Sequence, residues 1–271
     1  MPDEAPLVLD SVTHLAADAE GKAALCASHG GVYAAWYAAR RGVSSVVLHD
    51  AGIGRERAGL GGLDWLAERN MPAACVGHRS ARIGDGADML ARGRLSAVNA
   101  PAASLGLVEG MAAAEALATL AAAKLPASRT TETMDEARRE IAGVGRGGVR
   151  VMALDSNGLV VLEDAGHIVV TGSHGGLLGG RPETAVKAAV RAALYNDAGI
   201  GVDEAGISRL PALQARGIAG ACVSCFSARI GDAMSTWQDG FVSALNPLAA
   251  SRGGRIGQSA RDFVAAMLEH V

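Results

Sequence analysis

The chain alternates short apolar runs, β-branched or alanine-rich, with stretches of helical spacing. In its second part HIVVTG, AALYND, IAGACVSCF and FVSALN read as strands, while ETAVKAAVRA and EAGISRLPALQARG carry helical spacing. Pro182 suits a first helical turn, Gly217 suits a helix end, and Pro211 predicts a kink or break. The first part gives the same order: AALCAS, AAWYAARRG, VSSVVLHD, a helix around LDWLAERN, then AACVGH. Strands alternating with helices imply a mostly parallel sheet with right-handed crossovers.

That shared order is an internal duplication. SHGG occurs at 28–31 and 173–176, DAGIG at 50–54 and 197–201, SARIGD at 80–85 and 227–232. From His49 to Asn99 the first copy aligns without a gap onto Asn196 to Asn246, with about 23 of 51 positions identical. The expected fold is α/β: two similar βαβαβ-type halves from duplication, with mostly parallel sheets and pseudo-two-fold symmetry. The expected division is a first repeat at 1–123, a linker at 124–150 and a second repeat at 151–271. Within the linker, Thr133 and Glu136 form a capping-box pattern that predicts one short helix, ended by Gly143.

Composition then narrows the function. Of 271 residues, 49% are hydrophobic and 20% charged, enough apolar material for a sizeable core. The net charge of −3 gives no basic field for a phosphate backbone, and 3% aromatics leave few base-stacking platforms, so nucleic acid is not an expected partner. No run of about 18 uncharged apolar residues predicts a membrane span. The acidic start MPDEAPLVLD lacks a signal-peptide pattern, and the four cysteines sit mostly in apolar runs, so a cytoplasmic setting is expected. Homodimerisation is an expectation from the base rate of symmetric oligomers.

The repeated motifs each follow a predicted strand, the edge where parallel α/β folds bind ligands. His29 and His174 are candidate proton-transfer groups, and Asp50 and Asp197 would orient or polarise them. Arg82 and Arg229 would anchor a carboxylate or phosphate, positioned by Asp85 and Asp232. Ser28, Ser173, Gly30, Gly31, Gly175 and Gly176 would supply hydroxyl and N–H donors, with Arg181 completing a glycine-rich anion cradle before a helix. For each group the competing reading is structural: aspartates capping turns, and Arg/Asp pairs stitching loops.

Differences between the copies add candidates. His49 faces Asn196 in the alignment, His78 faces Cys225, Arg55 faces Val202 and Arg79 faces Phe226. His49 and Asn196 join the candidate substrate contacts. His49 and His78 are then candidate specialists of the first half, with neutral drift the competing reading.

Several chemistries lack their signature. The glycine-rich loop from Gly172 is not GxGxxG and lacks the ending of a P-loop, no GxSxG occurs, and Lys22, Lys124 and Lys187 are poorly placed for a Schiff base. Cys222 and Cys225 would face opposite sides of a strand. The pairing of SHGG with HDAGIG is similar to the His-Gly and Asp-Ala-Cys loops of caspase-type peptidases. Gly52 and Gly199 stand where the catalytic cysteine would be, so no residue role carries over. No organic cofactor is expected, and a divalent metal on His29, His174 and an aspartate stays open. The expectation is a hydrolase or lyase using His/Asp acid–base chemistry on a small carboxylate-bearing or otherwise anionic metabolite, in a crevice between the repeats. The alternative is a non-catalytic small-anion-binding protein.

Overall fold

The computed structural model of the chain describes residues 5–270. The opening MPDE of the leader reading lies outside them. Two compact units divide the chain. The first runs to Ile53, resumes over Arg57–Met134 and takes in Gly201–Asp203; the second holds Gly54–Glu56, Asp135–Ile200 and Glu204 onward.

In the first unit, β1 (Leu7–Leu9), β2 (Ala23–His29), β3 (Ser45–His49), β4 (Ala73–Val76) and β5 (Leu95–Val98) lie side by side in chain order. The first four are parallel, and β5 closes the edge antiparallel to β4. Alternate residues face opposite ways. Ala24 and Cys26 of β2, Val46 and Leu48 of β3 and Cys75 of β4 pack under helices α1 (Val32–Arg40) and α2 (Gly61–Ala67). Leu25, Val47 and Val76 pack on the other face. There they meet α3 (Gly86–Arg92) and α5 (Ala113–Ala122); the short α4 (Ala100–Ser104) lies between these two in sequence. Burial on both faces explains why these strands read as unbroken apolar runs rather than alternating ones.

The second unit repeats this sheet: β7 (Val151–Leu154), β8 (Ile168–His174), β9 (Ala192–Asn196) and β10 (Ala219–Val223) are parallel, and β11 (Val242–Leu245) is antiparallel. It adds β6 (Arg138–Glu140), antiparallel to β7, at the far edge. Helix α6 (Arg209–Ala215) covers one face, and α7 (Ala233–Asp239) and α9 (Ala260–Glu269) the other, with α8 (Pro247–Ser251) between those two in sequence. The expected α/β architecture with two similar, mostly parallel sheets is therefore present.

Three local expectations fail, each for a visible reason. The expected helix over 183–192 does not form: a single 3-10 turn, Pro182–Thr184, gives way to irregular chain. Val186, Ala188 and Val190 are buried while Lys187 and Ala189 are exposed, a period of two. Carbonyls that a helix would bond internally are taken by side chains: Arg209 donates to Thr184 and Ala185, Arg216 to Val186 and Ala188, and Tyr195 to Ala185. The glycine-rich loop thus leads into no long helix. Secondly, the linker carries no helix. Ala137 N–H donates to Asp155 (2.7 Å), and Arg138 forks onto buried Asp164 (2.9 and 2.7 Å), which draws the chain into β6. Thirdly, the expected helix over 204–217 is α-helical only from Arg209: Val202–Ile207 is a 3-10 helix, and the break lies ahead of Pro211. Pro211 sits in the first turn of α6, where its missing N–H has no helical partner to lose.

Asn99 and Asn246 show what the duplication preserved. Asn99 Oδ1 accepts from Ala73 N and Ala102 N (3.0 and 3.1 Å), and Nδ2 donates to the Met71 and Leu63 carbonyls (2.9 and 3.4 Å). Asn246 repeats all four bonds with Gly220, Ala249, Ile218 and Leu210. Asn99→Ala is expected to cost about 3 kcal/mol in urea unfolding, because buried backbone groups lose their partners. A loss under about 1 kcal/mol would show that water replaces the amide.

Candidate functional site

The carboxyl ends of β2, β3 and β4 bring His29, His49, Asp50 and Cys75 together, and the turn after β4 adds His78. His29 is the parallel partner of His49 across the sheet. Asp50, 2% exposed, accepts three hydrogen bonds on Oδ1: from Gly52 N (3.0 Å), His78 N (2.9 Å) and the His78 ring at Nδ1 (3.0 Å). Burial pushes the Asp50 carboxyl up, but the His78 hydrogen bond and the Gly52 N–H together hold it below its ordinary value. It is therefore a carboxylate at neutral pH, and Nδ1 of His78 must carry the proton it shares. That leaves Nε2 of His78 with a lone pair, on a side chain 18% exposed.

The other imidazoles hold the opposite tautomer. Gly31 N–H donates to His29 Nδ1 (3.2 Å), Ala51 N–H to His49 Nδ1 (3.1 Å) and Gly176 N–H to His174 Nδ1 (3.1 Å). Their protons therefore sit on Nε2, and His49 donates its own to the Ala81 carbonyl (3.1 Å). Asn196 makes the same two bonds with Ala198 N and the Ala228 carbonyl, so His49 and Asn196 are interchangeable braces rather than substrate contacts. Asp50 orients His78 instead of His29, and Asp197 takes Gly199 N and Cys225 N with no imidazole among these bonds.

Burial and the neighbouring His49 push the His29 imidazole down to about 4 from 6.5. The unfolded chain then binds a proton that the folded chain refuses, so stability falls as pH drops from about 6.5 to about 4. The full loss from His29 is about 3 kcal/mol. Asp50 adds to it at lower pH, as a depressed carboxylate is protonated. Urea unfolding at pH 7 and pH 4 measures the fall. His29→Asn, whose Oδ1 can still accept the Gly31 N–H, is expected to reduce it to the part left by His49, which burial also pushes down, and an unchanged slope would clear His29 of the effect.

Most other candidates brace loops. Ser28 Oγ accepts Val12 N (2.9 Å), and Ser173 Oγ accepts Asn157 N (2.8 Å). A Cβ on Gly30 would lie 2.5 Å from Cys75 Sγ and from the Gly59 carbonyl. One on Gly175 would lie 2.6 Å from Cys222 Sγ and 2.5 Å from the Gly206 carbonyl. Close packing, not anion binding, accounts for both. Gly31 and Gly176 give their N–H groups to the histidines. Asp85 and Asp232 cap α3 and α7. The Arg82 guanidinium lies against Asp203 (2.9 Å) within the first unit, and that of Arg229 against Asp232 (2.9 Å) and Glu56 (3.1 Å) within the second. Arg181 is exposed and donates to the Leu178 carbonyl of its own loop. Among the described residues no cluster of His, Cys, Asp and Glu has the form of a metal site.

Two features escaped the sequence. His78 stands out in the sequence as a candidate specialist of the first half, but its bond to Asp50 spans 28 residues and no local pattern announces it. The chain after Asp50 is the other: Ala51, Gly52, Ile53 and Gly54 all have positive φ (48°, 78°, 62° and 67°), a left-handed turn. The second copy repeats it at Ala198–Gly201. Such a turn costs about 1–2 kcal/mol for each non-glycine residue. It persists because Asp50 clamps Gly52 N and Ile53 N, and because Gly59 can pass where a Cβ would sit 2.0 Å from the Asp50 carbonyl.

The Ser80 hydroxyl donates to the Gly77 carbonyl and accepts from Arg94 N. Burial pushes the Cys75 thiol well up, and the Asp50 charge adds to that. Neither is an activated nucleophile. Arg79, next to His78, is exposed and has no ion-pair partner among the described residues. A groove of about 440 Å³ lined by Pro72, Ala100, Pro101, Leu105 and Leu125 opens at the opposite edge of the sheet and has no titratable side chain in its lining. No helix among the described residues is long and apolar enough to cross a membrane. Comparison with protein-family models, curated proteins and solved structures finds no match for this chain.

Proposed function

We propose that the first unit is an acid–base site of hydrolase or lyase type for a small carboxylate-bearing or otherwise anionic molecule, with Asp50 and His78 as its working pair. The observation that carries this reading is the 3.0 Å bond from His78 Nδ1 to a buried carboxylate, which leaves Nε2 available to a substrate or water. A carboxylate behind an imidazole fixes its tautomer and stabilises the imidazolium formed on proton transfer. With no side-chain nucleophile beside it, His78 would activate water for hydrolysis or remove a substrate proton for elimination. Arg79 supplies the positive charge that favours an anion, because Arg82 and Arg229 are already spent on carboxylates.

The test is a thermal-shift screen of the full chain with dicarboxylates, phosphates and cyclic amides, followed by a turnover assay of each ligand found. Turnover that survives removal of the His78 imidazole would end this reading. Ligand binding with no turnover in the wild type would leave the protein a small-anion binder.

A further inference from the structure

We propose that Phe226, Phe241 and Ile256 form the centre of an isologous interface at which two copies of this chain pair. All three are large and exposed, at 73%, 52% and 71%. Backbone bonds bring their segments together in the second unit. Ser224 N donates to the Phe241 carbonyl (2.9 Å), Gly257 N to the Val242 carbonyl (2.8 Å) and Val242 N to the Gln258 carbonyl (2.9 Å).

The first copy serves as an internal control. The same bonds recur there as Gly77 N to the Arg94 carbonyl, Gly110 N to the Leu95 carbonyl and Leu95 N to the Met111 carbonyl. The positions that match Phe226, Phe241 and Ile256 are Arg79, Arg94 and Glu109, all exposed. This local fold therefore needs no hydrophobe at any of the three sites. All three are nonetheless large and apolar in the second copy where the first has charged side chains. Exposed hydrophobic surface costs solubility, and three such side chains on one patch mark a contact surface.

The occupant follows from area and charge. Three such side chains present roughly 300–400 Å² of apolar surface, enough for the buried centre of an interface that covers about 800 Å² per partner. The rim carries both signs. Arg55 reaches the Ser227 carbonyl and Asp239 (2.8 and 3.3 Å), and Arg255 is exposed beside Ile256. A rim in which Arg55 and Asp239 already neutralise each other repels no second copy, so the apolar centre can meet its own image across a two-fold axis. An anionic membrane or a nucleic acid would select a rim of one sign.

Sedimentation equilibrium of the full chain from about 1 to 100 µM, the range in which interfaces of this size associate, is the test. The wild type is expected to reach twice the chain mass, and the variant F226R/F241R/I256E, which installs the first copy's residues, to dissociate at least about 100-fold more readily. Circular dichroism checks that the variant is folded; if it is not, F226R/I256E is scored in its place. A wild type that stays monomeric throughout, binds neutral vesicles as a monomer, or keeps its dimer in the variant would overturn the proposal.

Discussion

His78→Cys is expected to lower turnover of the substrate by about 10²–10⁴-fold while shifting the melting temperature by no more than about 3 °C. The second copy provides the reason to expect a folded variant. Cys225 occupies the matching position, buried at 1%, and its N–H donates to Asp197 Oδ1 at 2.9 Å, just as the His78 N–H donates to Asp50. A cysteine at 78 therefore keeps the backbone clamp and removes only the imidazole. The loss should appear in kcat more than in KM, because proton transfer is made in the transition state and not in the bound ground state. Asp50→Asn is a poorer probe, since Asp50 also holds Gly52 N and the left-handed turn behind it. Equal kcat values for wild type and His78→Cys would show that the dyad is architecture.

Arg209→Leu is expected to cost about 4 kcal/mol and to release hydrogen-exchange protection across 184–190 before global unfolding. Arg209 is 3% exposed and has no carboxylate among its hydrogen-bond partners. Burial lowers the pKa of its guanidinium. It stays protonated all the same, because arginine titrates so far above neutrality. Its donors go to the His174, Thr184 and Ala185 carbonyls, and it lies 5.2 Å from the centre of the Tyr195 ring. The matching position in the first copy is Gly62. A Cβ there would come within 2.7 Å of the Ala35 Cβ, so α1 packs where Arg209 projects in the second copy. Leucine would fill the volume but take the guanidinium from the His174 and Thr184 carbonyls and leave Ala185 only the Tyr195 hydroxyl, and the segment has no helical hydrogen bonds to fall back on. Urea unfolding and exchange of the 184–190 amides measure both effects. A cost under about 1 kcal/mol would mean that water satisfies those carbonyls.

Much of the architecture was legible from the chain alone. The repeats at SHGG, DAGIG and SARIGD located the strand ends, and the apolar runs became β2, β3, β4, β8, β9, β10 and β11. The candidate site was legible in part. Asp50 was named from its repeated motif, but the repeat pointed equally at residues that only brace loops, such as Ser28, Gly30 and Asp85. Residues that both copies keep report what the fold needs, so they are weak guides to chemistry. His78 breaks the repeat and could be separated from drift only once its bond to Asp50 was seen.

Sequence by itself determined the duplication and the strands β2, β3, β4, β8, β9, β10 and β11, because these follow from local periodicity and from motif spacing; β1, β5, β6 and β7 are too short or too polar to stand out that way. Tertiary structure alone decided three things: which imidazole meets a carboxylate, which arginines are already paired, and where helical spacing fails to make a helix. In each case the deciding partner lies far along the chain. The residues 183–192 favour a helix locally, but Arg209 and Arg216 reach their carbonyls from α6 and hold them extended. Local propensity amounts to tenths of a kcal/mol per residue, and a buried charged hydrogen bond outweighs it.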